Sequence, residues 1–270
     1  MGVESRLSPA IRLLIEEAER AERGGQRELA RERYEAALYL LRGDDGSAGP
    51  MILRRIAQSY LDDGQHGATR LEERLYTVVM RWARTIESKD AYTRGHCERV
   101  AGYATALARD VGFDDITMFW FRIGALLHDV GKIVVPSQIL NKPGRLTDDE
   151  RAIMERHAAA GADLLSTIEF PRDILPMIRG HHERWDGRGY PDGLAGETIP
   201  LSARIICVAD VFDALTTDRP YRRGYSREKA LEIMAADRDT AFDGALFARF
   251  ERLIEDPALY PEQPPIAAAS

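Results

Sequence analysis

Five of the six histidines lie between residues 96 and 182, and each sits where a metal ion would suit it. His96 shares a helical face with Val100, Tyr103 and Leu107. His128 and Asp129 close the apolar run of Phe119, Trp120, Ile123, Leu126 and Leu127, just before Gly131-Lys132. His157 lies on a stripe with Ile153 and Leu164, and His181-His182 end a stretch carrying Ile174, Met177 and Ile178. Asp210 interrupts the apolar segment Ile205 to Ala209. A single histidine on an apolar face is more often a hydrogen-bonded core residue than a ligand. Five imidazoles and two carboxylates together are different, because burying them is costly unless something satisfies them. Divalent cations do so directly, and neutral imidazole with carboxylate suits Fe, Mn, Ni or Zn. Seven ligands exceed what one ion needs, so two ions sharing a bridging carboxylate is the economical reading. Asp129 is the better bridge, since its neighbour His128 can then ligate one of the ions. His66 falls in a loop outside this set and reads as a surface residue.

Rival chemistries lack their residues. His182-Glu183 has no second histidine four residues on, so the zinc-protease helix is absent. Gly131-Lys132 lacks P-loop spacing, and neither the paired cysteines of the deaminases nor a Gly-x-Ser-x-Gly elbow occurs. The two cysteines, Cys97 and Cys207, form no C-x-x-C pair and fit a reducing compartment. Each adjoins a candidate ligand in sequence, but neighbours on a helix point about 100° apart, so both read as core residues. A net charge of −7 argues against binding a nucleic-acid polymer. No apolar run approaches the length of a membrane span, and Glu4 and Arg6 fall where a signal peptide would turn apolar. The expected location is the cytoplasm.

Helical periodicity must supply the scaffold, and the expected fold class is all-α. Ser8-Pro9 opens a helix bearing Ile11, Leu14, Ile15 and Ala18, which Gly24-Gly25 ends. A second helix carries Ala30, Tyr34, Ala37, Leu38 and Leu41, and a third carries Ile52, Ile56 and Tyr60. The stripe Leu71, Leu75, Val78, Trp82 and Ile86 joins this region to the main one. Further helices are expected over Thr93–Val111, Asp115–Val130, Arg172–Arg184, Pro200–Leu215, Ser226–Ala236 and Gly244–Glu255, with Thr147 and Glu150 forming a capping box before the His157 helix. No alternating strand stands out. Asp256 to Ser270, rich in Pro and Ala, reads as a frayed tail. The expected division is 1–70, 71–256 and a flexible 257–270.

Two resemblances follow from these residues. In the first region Leu14, Ala18, Gly25, Ala30, Tyr34 and Ala37 fall at tetratricopeptide offsets, and Leu53, Ala57, Tyr60 and Gly64 repeat half of the pattern; a plain helical hairpin is the alternative. So few repeats rarely stand alone, which suggests packing on the rest of the chain, a protein partner or self-association. In the main region His96, His128-Asp129 and Asp210 follow the H…HD…D order of the HD phosphohydrolase superfamily. The stretch His181-His182-Glu183-Arg184-Trp185-Asp186-Gly187-Arg188-Gly189-Tyr190-Pro191 resembles the signature of its HD-GYP subfamily. Asp90 to His96, Ala209 to Thr216, Arg219 to Arg222 and Thr240 to Asp243 resemble further blocks, in order, from about Leu71 to Glu255.

The HD-GYP resemblance implies an all-helical, metal-dependent phosphodiesterase acting on cyclic di-GMP. It implies metal ligation by His96, His128, Asp129, His157, His181, His182 and Asp210, and phosphate contacts from Lys132, Arg219 and Arg222. Two ions would activate a bridging water for in-line attack on phosphorus, giving linear pGpG and, slowly, GMP. Lys132, one turn beyond His128, is otherwise a helix C-terminal charge, and Arg222 beside Arg223 is otherwise solvated. Gly189 would allow a ligand close to the backbone, while Tyr190 either packs on a base or belongs to the core. Asp213 is expected to hydrogen-bond beside the metals. Some family members hold a third metal with a Glu four residues before the first histidine; that position here is Tyr92, a poor ligand near neutral pH. The competing readings are the same chemistry on cyclic GMP-AMP, or a non-catalytic cyclic di-GMP sensor or scaffold.

Overall fold

The computed structural model describes residues 7–40, 51–52, 55–56, 68–90, 95–166, 168, 170–218 and 222–260. Among them the chain is helical, with isolated bridges at Asp186–Ala195 and Arg238–Phe242 and no strand. The order is α1 (Pro9–Arg23), α2 (Arg27–Leu40), α3 (Ala68–Glu87), α4 (His96–Val111), α5 (Asp115–Leu127), a 3-10 helix (Val130–Val134), α6 (Ser137–Leu140), α7 (Asp148–Leu165), α8 (Leu175–Gly180), a 3-10 turn (Gly196–Thr198), α9 (Leu201–Thr216), α10 (Arg227–Ala235) and α11 (Gly244–Leu253).

The first two helices form a hairpin. Ser8 caps α1 by accepting from the Ile11 N–H at 3.4 Å. The two helices pack together with Ile11, Ile15 and Ala18 of α1 and Ala30, Tyr34 and Ala37 of α2 buried, and the Tyr34 hydroxyl donates to Glu22 at 3.2 Å. The second half of the repeat-like pattern, Leu53, Ala57, Tyr60 and Gly64, lies outside the described residues, as does His66. The helix α3 buries Leu75, Val79, Trp82 and Ile86 and packs on α4 and α5.

The site is framed by α4, α5, α7, α8 and α9, which pack pairwise around one apolar core. The capping box at α7 forms as expected: the Glu150 N–H donates to Thr147 Oγ1 at 3.3 Å, and the Thr147 N–H donates to the Glu150 carboxylate at 2.8 Å.

Three boundaries differ from the periodicity. The helix expected over Asp115–Val130 ends at Leu127, because the chain leaves α geometry at Asp129 (φ −95°, ψ 8°) and tightens into the 3-10 helix. The helix expected over Arg172–Arg184 shrinks to Leu175–Gly180. Asp173 accepts the Leu175 N–H at 3.0 Å and Pro176 sits in the first turn, so the helix starts late; a turn from Glu183 N–H to the Gly180 carbonyl ends it. The start of the expected tail is not frayed, because Leu259 and Tyr260 pack on the core, with Tyr260 edge-on to Phe212 at 5.6 Å.

Candidate metal centre

Asp129 stands at the middle of the site. Its Oδ1 lies 3.3 Å from His157 Nε2 and 3.9 Å from His181 Nε2. Its Oδ2 lies 3.4 Å from His128 Nε2 and 3.6 Å from His96 Nε2. Asp210, on α9, places Oδ1 3.3 Å from His96 Nε2. Two groups therefore share one carboxylate: Asp129, His157, His181 and His182 on one side, and His96, His128 and Asp129, with Asp210 beside them, on the other.

The imidazoles are aimed by what holds their other nitrogen. The Nδ1–H groups of His128, His157 and His181 donate to the carbonyls of Ala125, Met154 and Ile178, three residues back, each at 2.7 Å. His96 Nδ1 is 2.8 Å from Asp213 Oδ2, and Asp213 is clamped in turn by Arg99 at 2.6 and 3.0 Å. A carbonyl or carboxylate can only accept, so these bonds put a proton on each Nδ1 and turn each Nε2 inward. His182 is held differently, with Tyr190 packed against its ring at 4.8 Å between centroids.

This donor set fits divalent cations. His128 Nε2 is buried with no hydrogen-bond partner. The Nε2 atoms of His157 and His181 face each other at 3.4 Å with both Nδ1 positions bonded to carbonyls, an arrangement that a cation between them would relieve. Burial holds His128 below, and His181 well below, the usual histidine range, and pulls His182 down to about 3, so these rings are neutral. Burial also opposes charge on Asp129, but the adjacent Lys132 ammonium outweighs it and keeps the carboxylate ionised well below the usual range. At His96 burial is outweighed by the hydrogen bonds to Asp129, Asp210 and Asp213, which raise it well above the usual range. A metal at the same point would take the place of that proton.

Close backbone approach makes this geometry possible. A Cβ on Gly131 would stand 1.9 Å from the His157 carbonyl oxygen and 2.6 Å from the Gly161 nitrogen. Only glycine lets the 3-10 helix carrying Asp129 press onto α7 carrying His157. Gly189 is under the same constraint: its Cβ would lie 2.3 to 2.5 Å from the backbone of residues 182–184. It is pressed against the backbone that follows His181. Tyr190 likewise packs on His182.

Lys132 Nζ lies 2.6 Å from Asp129 Oδ2 and 3.7 Å from Asp90, at the edge of the group. Arg222 is engaged elsewhere, donating to the carbonyls of Leu215 and Ala214 at 2.9 Å and stacking over Tyr225. It caps the end of α9. Arg219 and Tyr92 lie outside the described residues. Cys97 is buried and Cys207 half-buried, both against the core.

Three supporting residues escaped the periodicity. Glu87 accepts the Gly95 and Cys97 N–H groups at 2.9 and 2.6 Å, which caps α4 where His96 begins. Buried Glu183 accepts from Asp192 and Leu194 at 2.7 and 3.0 Å and shapes the loop bearing Tyr190. Arg99 reaches Asp213 from one turn beyond His96. Glu183 stands inside the quoted signature, but nothing in its spacing shows what it holds.

The sequence pattern of the HD domain family matches residues 81–246. This chain belongs to the HD domain family. Its HD domain is 43% identical over 175 residues to the cyclic di-GMP phosphodiesterase response regulator RpfG of Xanthomonas campestris, covering 64% of this chain and 46% of that protein. It is 40% identical over 218 residues to the cyclic di-GMP phosphodiesterase PA4108 of Pseudomonas aeruginosa (80% and 50%). It is also 40% identical over 180 residues to the 3'3'-cGAMP-specific phosphodiesterase 3 of Vibrio cholerae (67% and 39%). The chain thus spans half or less of the length of these relatives. In fold it resembles the HDG"Y"P protein Bd1817 of Bdellovibrio bacteriovorus, with a TM-score of 0.54 at 18% identity over 87% of this chain and 81% of that one. It also resembles the HD domain of the Listeria monocytogenes phosphodiesterase PgpH, with a TM-score of 0.51 at 20% identity over 69% and 98%. The family match begins beyond the α1–α2 hairpin and leaves that hairpin unassigned. Among the described residues no helix is long and apolar enough to cross a membrane.

Proposed function

We propose that this chain is a metal-dependent phosphodiesterase of the HD-GYP type that opens cyclic di-GMP to linear pGpG and cuts pGpG on to GMP slowly. The observation that carries the reading is Asp129, whose two oxygens face two separate sets of histidine lone pairs. In this reading His96, His128, Asp129 and Asp210 hold one ion, and Asp129, His157, His181 and His182 hold the other. Fe or Mn suits the mixed imidazole and carboxylate donors best, with Ni or Zn as further options. When bound, the ions supply an activated water and offset the charge on phosphate. Asp129 then keeps both halves in register. Lys132, already drawn to that side by Asp129, offers its ammonium to a phosphate oxygen there. Arg219 keeps the phosphate-binding role that the family resemblance gives it. Glu87 is engaged in capping α4 and so is not offered to a third ion. The chain acts in the cytoplasm in this reading, and the α1–α2 hairpin serves association with a second copy or a protein partner.

The likeness to a cGAMP-specific enzyme favours a second substrate with the same chemistry. Protein purified without chelator and given equal cyclic di-GMP and cyclic GMP-AMP separates the two by chromatography of a time course. Cyclic di-GMP should disappear first, with pGpG accumulating ahead of GMP. Faster loss of cyclic GMP-AMP, or GMP without a pGpG lag, would overturn the respective part.

Lys132→Ala and Arg219→Ala should each retain the ions and lose rate. One charged hydrogen bond to phosphate contributes about 1.5–3 kcal/mol, so kcat/KM should fall by roughly one to two decades. Unchanged kinetics with unchanged metal content would make both structural charges.

A further inference from the structure

The two halves of the site are not equivalent, and the difference lies in the direct ligands and in one side chain that is no ligand. On the His157 side three imidazoles meet a single carboxylate oxygen from Asp129. Two of those rings, His157 and His181, are backed by main-chain carbonyls, and the third, His182, by the Tyr190 ring. On the His96 side two imidazoles meet two carboxylates, Asp129 and Asp210. There, too, His96 is backed by a buried carboxylate, Asp213, at 2.8 Å. A carboxylate behind an imidazole raises the basicity of the far nitrogen more than a neutral carbonyl does. Two cations oppose this bias. Lys132 touches Asp129 Oδ2 and is partly offset by Asp90 at 3.7 Å, while Arg99 clamps Asp213. The direct ligands still favour the His96 half by one full carboxylate.

We infer that the His96 half binds its divalent ion more tightly than the His157 half, and that Asp213, held by Arg99, is a positioning residue that widens the gap the direct ligands open. The inference rests on the two-ion reading above. It assigns Asp213 no contact with substrate. The side chain fixes the tautomer and angle of His96 through Nδ1, and Arg99 with Thr217 fixes Asp213. Metal loading is then sequential: the first equivalent fills the His96 half and the second enters the exchangeable half.

The test is a titration of the metal-free full chain with Co2+, followed by visible absorption and calorimetry. The wild type should show two stages whose affinities differ about 10-fold or more. His157→Ala should keep the tight stage alone, and His96→Ala the weak stage alone. Asp213→Asn should weaken the tight stage by about 10- to 100-fold, the range seen when a ligand's hydrogen-bond partner is removed, while leaving the weak stage in place. That surviving stage also reports that the variant is folded. Should Asp213→Asn fail to fold, the His96→Ala and His157→Ala pair still decides the order. Two equal stages, a tight stage surviving in His96→Ala, or a folded Asp213→Asn with wild-type affinities would overturn the inference. A wild type that binds no pair of ions would instead sink the two-ion reading beneath it.

Discussion

Asp129→Asn is expected to release both ions together and to abolish hydrolysis. The change keeps the shape of the side chain and removes the one charge common to both halves. Each Asp129 oxygen faces a different pair of imidazoles, at 3.3 and 3.9 Å through Oδ1 and at 3.4 and 3.6 Å through Oδ2. An amide offers a single acceptor oxygen, and its NH2 group would point donors at lone pairs or at a cation. The substitution also strips Lys132 of its 2.6 Å partner in a mostly buried place. Removing one member of a buried pair costs about 3–5 kcal/mol, so the apo-protein should also unfold at lower denaturant. Elemental analysis after purification without chelator reads the first effect, and a urea transition followed by helical circular dichroism reads the second. Retention of one ion per chain by a folded Asp129→Asn would show that the carboxylate is not shared.

Gly131→Ala should come close to that effect without replacing a ligand. The new methyl would stand 1.9 Å from the His157 carbonyl oxygen and 2.6 Å from the Gly161 nitrogen. Both are backbone atoms, so no flexible side chain can yield, and the 3-10 helix must lift away from α7. Overpacking of this kind costs about 1–3 kcal/mol, occasionally more, and the upper end is expected here. Lifting the helix separates Asp129 from His157, so the ion of the His157 half should be lost first. Gly102→Ala is the matched control, since Gly102 lies exposed in α4 with nothing within 4 Å of a Cβ. It should be stabilising by about 0.5–1 kcal/mol, because alanine has less backbone freedom to lose than glycine in a helix. A Gly131→Ala protein with wild-type urea midpoint and full metal content would show that the two segments are less tightly joined than this geometry requires.

Most of the longer helices, and the seven N and O side chains as candidates, were legible from local pattern. Helical periodicity depends on neighbours within a few residues, so the caps at Ser8 and Thr147 and the body of α4, α9, α10 and α11 could be read along the chain. The HHE-to-GYP stretch pointed to the family for the same reason, being contiguous. Boundaries failed where a distant element overrode local preference: α5 stops at Leu127 because the following turn must lay Gly131 on α7. Gly189 and Tyr190 read equally as ligand contacts or as parts of a tight loop and the core, and the structure packs them against residues 182–184 and on the His182 ring. Arg222 read as a phosphate contact or a solvated charge, and its bonds to the end of α9 join residues that spacing does not connect. The sequence by itself determined which residue types were available and which helices carried them. Only the tertiary structure decided how they divide: which oxygen of Asp129 faces which histidines, and that His96 alone is backed by a carboxylate. Those facts join residues as far apart as His96 and Asp213. Such distances are set by how helices cross, and no spacing along the chain encodes them.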